Sequence, residues 1–323
     1  MASDRIRHRE IAPDGLAGKR LDQVAAAVFP DFSRARLQQW IKTGELTVDG
    51  TVSKPTRRIK GGESLRIDAE LEMETEASAE DIPLDIIHAD PDIIVINKPA
   101  GLVVHPGAGN RRGTLLNALL YFDPALSTLP RAGLVHRLDK DTTGVMVVAR
   151  SLRAHTSLVE QLQARRMKRI YRALAIGELI SGGTVDAPIG RDPRQRKRMA
   201  VVATGKPAVT HFRIIERFRG FTYVEVSLET GRTHQIRVHL AEQGFSLLGD
   251  PLYGKRMPRG LKSASMETAL KQQIEGFGRQ ALHAWRLTLR HPDDKGERTF
   301  EAPLPGDFSE LIQALRQSAK AEP

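Results

Sequence analysis

The sequence predicts an α+β protein in which a mixed, largely antiparallel sheet has flanking helices and is joined to a smaller N-terminal domain. Short apolar runs at 93–96 and 145–148 have the length and β-branched content of buried strands. Strand and helix patterns follow one another irregularly, which disfavours the regular alternation of a doubly wound sheet. A chain of 323 residues also suits one large domain and one small domain.

Composition limits the classes of protein to be considered. Apolar residues make up 40% of the chain, which is ample for a core, yet no apolar run approaches the length of a membrane span. The N-terminus lacks the apolar core of a signal peptide, and the absence of cysteine excludes disulfides, thiolate zinc sites and cysteine nucleophiles. We therefore expect a cytoplasmic protein with no membrane partner.

The charge pattern favours a polyanionic partner. The formal net charge is +10, and acidic residues concentrate at 68–85. Basic residues cluster elsewhere, at 34–60, 165–172 and 191–198. Segregated basic patches are typical of an RNA-binding surface, although a basic surface can also serve solubility alone.

The N-terminal region begins with a polar segment, residues 1–16, that we expect to be a flexible tail. From Leu21 onward, apolar residues recur at helical spacing until Pro30 interrupts the pattern. Ser33 is a suitable N-cap for a second helix, and Gly44 is a natural C-terminal stop. Two short helices are therefore expected here.

A hairpin is predicted next. Asp49 and Gly50 are a strong turn signal between short apolar stretches at 46–48 and 51–52, and a further strand is expected at 65–67. Two helices followed by a hairpin resemble the S4 RNA-binding module. In such a module, six basic side chains of this chain would face RNA phosphates. These residues are Arg34, Arg36, Lys42, Arg57, Arg58 and Lys60. The alternative is that they are solvated surface charges.

The domain boundaries follow from composition. The S4-like domain is predicted at 17–70, and the segment 71–82 is too acidic and too poor in apolar residues to be more than a linker. The remainder, 83–323, is the predicted large domain. Its clearest expected helices are 114–121 and 154–165, and its clearest expected strands are 93–96, 145–148, 171–175 and 224–228.

The most informative segment is HRLDKDTTG at 136–144, which places charged residues at the mouth of the apolar strand 145–148. Asp139 lies between Arg137 and Lys140, whose positive charges favour an ionised carboxylate. Such a carboxylate could act as a nucleophile or a base. A solvated loop or a structural ion pair would have the same composition, so these residues alone leave both interpretations open.

Two more side chains are candidates for the same site. Thr233 could cap a helix running from about 234 to 242, which would place Arg237 in the first turn. An arginine opposite Asp139 would keep the carboxylate ionised and oriented, although a structural ion pair is the alternative. Tyr171 starts an alternating strand among basic residues, where it could stack on a base or simply be a core or edge tyrosine.

The candidate cofactor and metal motifs do not have the residue spacing that such sites require. The glycines in 107–113 do not fit the dinucleotide pattern, and Gly205-Lys206 lacks the other residues of a P-loop. His234 and His239 are five residues apart, which misses the spacing that directs two imidazoles to one metal. Nothing in the sequence calls for a metal, a nucleotide or a flavin.

Several motifs, in order along nearly the whole chain, resemble those of the RluA-type pseudouridine synthases. Besides HRLDKDTTG, they are INKPAGLVVHP at 96–106, KRIYRA at 168–173, LETGRTHQIRVH at 228–239 and GDPLYG at 249–254. The resemblance implies a pseudouridine synthase fold and a cofactor-free isomerase. Its implied substrate is uridine in bacterial 23S ribosomal RNA, free or in a precursor of the 50S subunit.

The resemblance also implies roles for individual residues. Asp139 would be the essential carboxylate, acting by covalent addition or by removing a sugar proton, with Tyr171 and Arg237 beside it. Arg137 would fill the space left by a uridine that has flipped out of its stack. We expect a monomer that needs no metal or small-molecule cofactor. Two alternatives remain: a synthase acting on tRNA or another RNA, and a catalytically inactive RNA-binding assembly factor.

Overall fold

The computed structural model describes residues 5–32, 34–70, 77–107, 110–195, 197–254 and 268–321. The helices are α1 (Leu21–Val28), α2 (Arg34–Thr43), α3 (Leu115–Phe122), α4 (Leu152–Gln163), α5 (Gln235–Glu242), α6 (Thr268–Gly276) and α7 (Gly306–Ala321). The strands are β1 (Arg5–Ile11), β2 (Leu46–Val48), β3 (Ser64–Glu70), β4 (Ile86–Ala89), β5 (Ile93–Lys98), β6 (Thr143–Ala149), β7 (Lys168–Ile176), β8 (Gly183–Asp186), β9 (Ile189–Arg191), β10 (Met199–Val201), β11 (Val209–Phe218), β12 (Phe221–Leu228), β13 (Leu282–Arg290) and β14 (Glu297–Glu301).

The small N-terminal domain is a three-stranded antiparallel sheet, in the order β1-β3-β2, packed against α1 and α2. Its core includes Leu21, Leu37 and Ile67, which are fully buried. Both predicted helices are present, and α2 ends just before Gly44. Two sequence predictions, Ser33 as an N-cap and the first half of the acidic linker (71–76), fall on residues outside the described ranges.

The prediction of a flexible tail over 1–16 is corrected for residues 5–11, which form a strand. Strand β1 pairs with β3 along all seven of its residues, and all but one of these residues are exposed. An edge strand with little buried surface needs no apolar alternation. The polar sequence of β1 therefore did not indicate a strand. Ion pairs add to the backbone pairing, with Arg5 Nε 2.6 Å from Asp68 Oδ1.

The predicted turn is present, but its second arm is not a strand. Asp49 and Gly50 both have positive φ, 51° and 77°, as a two-residue type I′ turn requires. Thr51 makes only one bridge, to Val48. The neighbour of β2 is instead β3, whose buried Leu65 lies opposite Val48, whereas Val52 is 57% exposed.

The large domain contains a nine-stranded sheet in the order β4-β5-β6-β13-β7-β12-β11-β8, with β14 paired to β13. Among the strand pairs that the described residues form in this sheet, only β6–β13 is parallel, which confirms the predicted mixed, largely antiparallel sheet. At that junction Gly144 has φ of 115°, and a Cβ there would lie 2.1 Å from the carbonyl oxygen of Ala284. Glycine therefore permits the close approach of β13 to the start of β6.

Helices cover the sheet, as the sequence predicts. The core of the large domain includes Leu116 of α3 and Leu158 of α4, packed with the wholly buried β6. A second apolar cluster joins α6 and α7 to β12, with Phe308 fully buried. None of the described helices combines the length and apolar content needed to cross a membrane.

Candidate active site

A cleft of about 1020 Å³ opens between the loop that precedes β6 and the start of α5. The predicted residues Arg137, Asp139, Tyr171 and Arg237 all line it, although they come from separate parts of the chain. Within the described ranges, no group of three or more acidic or histidine side chains is arranged to hold a metal ion. The fold thus brings the three predicted catalytic residues and the predicted base-flipping residue Arg137 into a single cavity.

A left-handed turn sets the course of the loop that carries Asp139. Three consecutive residues, 131–133, have positive φ of 52°, 51° and 79°. A Cβ on Gly133 would lie 1.9 Å from the carbonyl oxygen of Ala149, so only glycine fits beside the end of β6. The amide of Thr142 donates to the backbone carbonyl of Asp139 at 3.1 Å. The backbone around Asp139 is therefore fixed at both sides of the loop.

Arg237 connects Asp139 to a second carboxylate. Its Nη1 donates to Asp139 Oδ2 at 2.9 Å, while Nε and Nη2 donate to Asp250 at 2.7 and 2.8 Å. The amides of Leu252 and Tyr253 also donate to Asp250. Burial tends to raise the pKa of Asp250, but Arg237 outweighs it and holds that pKa below its usual value. Arg237 thus remains a buried cation shared by two acids.

The start of α5 differs from the predicted cap. His234, not Thr233, is the N-cap residue, its backbone is left-handed with φ of 57°, and its side chain makes no capping hydrogen bond. Gln235 stabilises the turn instead, because its Oε1 accepts from the amide of Arg232 at 2.9 Å. Arg237 nevertheless lies in the first turn of the helix, as predicted.

Lys98 is a buried cation that the sequence analysis did not single out. Its side chain is fully buried, and Nζ donates to the carbonyls of Pro99, Leu102 and Lys140 at 2.7–2.9 Å. Burial lowers the pKa of Lys98 to about 8, despite the opposing effect of nearby Asp141. Lys98 ties the loop after β5 to the loop that carries Asp139. The sequence feature that could have indicated this burial is a lysine at the end of an otherwise largely apolar strand.

Tyr171 lines the cleft from the middle of the sheet. It lies on β7 opposite Val226 of β12 and Ala284 of β13, and only 6% of its surface is exposed. Burial raises the pKa of its phenol, and Asp139 raises it further, although Arg169 acts in the opposite direction. The phenol is therefore neutral at physiological pH.

Two more residues line the cleft that were not predicted as site residues, His136 in the HRLDKDTTG motif and Arg169 in the KRIYRA motif. Nε2 of His136 accepts from the amide of Val147 at 3.2 Å, and burial followed by the charge of Arg169 lowers its pKa to about 3. Arg169 is 8% exposed, and its Nε has no hydrogen-bond partner within the described chain. Composition alone could not show that Arg169 is buried or that His136 bonds to the backbone of β6.

The predicted RNA-binding residues differ in their surroundings. Arg137 is exposed at the cleft. Arg34 is half exposed and binds the fully buried Asp22 at 2.6 Å, so it also stabilises the small domain. Arg36 lies 5.8 Å from the ring centroid of Trp40. The remaining four are exposed: Lys42, Arg57, Arg58 and Lys60.

This fold is that of the RNA pseudouridylate synthases. The RNA pseudouridylate synthase family matches residues 92–242, and the S4 domain matches residues 19–65. The chain belongs to the RNA pseudouridylate synthase family, and its members are isomerases.

Relatives of known name extend over almost the full length. Ribosomal large subunit pseudouridine synthase D of Pseudomonas aeruginosa is 54% identical over 319 residues and covers 99% of each chain. The protein of the same name from Xanthomonas campestris is 51% identical over 321 residues, which is 98% of this chain and 96% of the other. Among solved structures, human RNA pseudouridylate synthase domain containing 4 has a TM-score of 0.55 at 28% identity, over 72% of this chain and 93% of that one.

Proposed function

We propose that this protein isomerises uridines to pseudouridine in bacterial 23S ribosomal RNA and acts as a cytoplasmic monomer on that RNA or on the assembling large subunit. The observation that carries the proposal is the Asp139 carboxylate, held 2.9 Å from Arg237 in a cleft of about 1020 Å³. A cleft of this size can receive a nucleotide that has left its stack. The names of the two bacterial relatives support the large ribosomal subunit as the source of substrate.

Asp139 is the proposed catalytic carboxylate. Pseudouridine formation breaks the bond between C1′ and N1 and joins C1′ to C5, so atoms are rearranged without an external reactant. Oδ2 of Asp139 accepts a hydrogen bond from Arg237, and no hydrogen bond from the described residues reaches Oδ1, so Oδ1 can face the ribose. Both covalent addition to C1′ and removal of a proton from C2′ use the carboxylate as an anion, and the hydrogen bond from Arg237 Nη1 orients it.

Tyr171 is the proposed partner of the uracil ring. Its neutral phenol lines the same cleft, where the aromatic face can stack on the flipped base. The hydroxyl can exchange a proton while C1′ moves from N1 to C5, because the raised pKa keeps the phenol protonated before the reaction.

Arg137 is the proposed base-flipping residue. It lies two residues from Asp139 on the cleft wall and, unlike Arg237, is exposed to solvent. An exposed guanidinium at this position can enter the gap that the flipped uridine leaves and stack on the neighbouring bases, which offsets part of the unstacking cost of a few kcal/mol.

The S4-like domain is the proposed phosphate clamp. Lys42, Arg57 and Lys60 are exposed and suited to phosphate contacts. Arg34 and Arg36 lie on α2, as Lys42 does. We propose that this domain extends over 17–70 with β1 added at its edge, that 71–82 links it to the rest, and that 83–323 is the catalytic domain.

Mapping pseudouridines in total RNA tests the proposal. Cells that lack the protein should lose pseudouridine at specific 23S positions, and wild-type protein, but not Asp139→Asn, should restore it. Loss confined to tRNA would support the alternative substrate. No change at any position, together with a defect in subunit assembly, would support an inactive assembly factor and contradict the proposal.

A further inference from the structure

His234 lies beside Asp139 and is not used in the mechanism proposed above. Its Nε2 is 3.9 Å from Asp139 Oδ1, the carboxylate oxygen that Arg237 does not bind. On the far side of the ring, Nδ1 is 2.8 Å from the hydroxyl of Tyr253. That hydroxyl also accepts a hydrogen bond from the amide of Met199 at 2.8 Å. The imidazole is therefore held in place from behind, with Nε2 directed at the carboxylate.

The surroundings of His234 select one protonation state. Burial lowers the pKa of His234 below its usual value, and Arg237 lowers it further, against the opposing effect of Asp139. The ring is thus neutral at physiological pH and carries one N–H. A proton on Nδ1 would leave the Nε2 lone pair facing the carboxylate, which is repulsive. Electrostatics favours the other tautomer, in which Tyr253 donates to Nδ1 and Nε2–H faces Asp139.

The gap between His234 and Asp139 fits one hydroxyl group. A separation of 3.9 Å is too long for a direct hydrogen bond. Two hydrogen bonds of about 2.8 Å each, meeting at one oxygen near a right angle, span it. The bridging group must accept from Nε2–H and donate to Oδ1, which only a hydroxyl or water can do. In a uridine within RNA, the 3′ and 5′ oxygens are esterified, so the 2′-hydroxyl is the free one.

We propose that His234 and Asp139 Oδ1 together bind the 2′-hydroxyl of the target uridine. This inference rests on the proposed function and adds a substrate-recognition residue to it. Binding the 2′-hydroxyl places Oδ1 next to C1′ and C2′, the two sugar carbons at which either chemical route begins. It also gives the site a means of distinguishing RNA from DNA at the reacting nucleotide.

The test compares two RNA stem-loops that differ only in the 2′-hydroxyl of the target uridine. His234→Ala should slow single-turnover conversion of the ribose substrate about tenfold, as expected for loss of one hydrogen bond. It should change conversion of the 2′-deoxy substrate less than twofold, since the partner is already missing. His234→Gln, which retains an N–H donor, should recover part of the rate on the ribose substrate only.

If the protein binds the 2′-deoxy RNA without converting it, the effect of each variant on the two RNAs is compared through dissociation constants instead of rates. His105→Ala is the matched control, because His105 also lines the cleft but its Nδ1 contacts the carbonyl of Pro106. It should affect both RNAs by one common factor. An equal factor for His234→Ala on both RNAs would overturn the inference.

Nitrogen NMR of the free protein provides an independent readout. We expect His234 to carry its proton on Nε2, and Tyr253→Phe to abolish this preference. A proton on Nδ1 in the wild-type protein would also overturn the inference. The proposed function is judged separately: wild-type protein that converts neither RNA contradicts that function, whereas wild-type conversion with equal His234→Ala effects rejects only the role of His234.

Discussion

Arg237 binds Asp139 and Asp250 at the same time, with one nitrogen on the first and two on the second. The bidentate contact fixes the plane of the guanidinium, and the remaining nitrogen then fixes one oxygen of Asp139. Asp250, from the GDPLYG motif, is therefore a positioning residue for the proposed catalytic carboxylate.

Asp250→Asn tests this positioning. The change keeps the size of the side chain but leaves Arg237 without its main counter-charge, and breaking such a buried pair costs about 3 kcal/mol of the free energy of unfolding. Single-turnover pseudouridine formation should fall at least tenfold. Asp294→Asn, which breaks the half-exposed pair with Arg298, should have little effect on either quantity. Unchanged stability and rate in Asp250→Asn would contradict the positioning role.

Lys98 should give the protein an identifiable pH dependence of stability. Its pKa is lowered from 10.5 to about 8 in the folded protein, so the unfolded chain binds more protons between these values. Stability from this group therefore rises with pH across that window, by about 1 kcal/mol per pH unit. Urea unfolding of wild-type and Lys98→Met proteins at pH 8 and pH 10 measures it. A difference between the two proteins that does not change with pH would exclude this assignment.

The sequence was a good guide to the strands around the cleft and to the residues in it. The apolar run 145–148 and the alternation from Tyr171 both gave strands where expected, since burial on two faces leaves a clear pattern. The sequence did not predict features that depend on backbone conformation and not on an apolar pattern. The left-handed backbone at His234 and the exposed edge strand β1 have no apolar pattern to reveal them.

The burial of individual polar side chains also could not be predicted from the sequence. Lys98 and Arg169 look like ordinary surface charges, and only the packing of separate strands shows that they are enclosed. The pairing of Asp139 with Arg237 could be proposed from residue chemistry and family resemblance, but the part played by Asp250 depends on a contact across 13 residues that no periodicity indicates.

Arg137 and Arg237 should respond differently to the structure of the RNA. Arg237→Met should reduce turnover equally on a stem-loop and on an unstructured oligonucleotide, because it acts on Asp139. Arg137→Ala should slow the stem-loop more, because unstacking is largely complete beforehand in the oligonucleotide. Single-turnover rates for both variants on both RNAs decide the matter. The same factor for Arg137→Ala on both RNAs would rule out base flipping.

The S4-like domain should contribute to the salt dependence of RNA binding. Replacing Lys42, Arg57 and Lys60 together by glutamine should weaken binding and lower the slope of log affinity against log salt by about 2. Arg34→Gln is the informative comparison, since it leaves the buried Asp22 with fewer partners and should also reduce stability. A triple variant with unchanged affinity and slope would mean that these three side chains do not contact phosphates.

The most direct test of the account is pseudouridine formation by purified Asp139→Asn. The change preserves the size of the side chain and removes its charge, so the protein should fold and bind the RNA stem-loop with nearly wild-type affinity. We expect no pseudouridine above the level that deamidation of the asparagine explains. Substantial conversion by this variant, with deamidation excluded by mass spectrometry, would contradict Asp139 as the catalytic carboxylate.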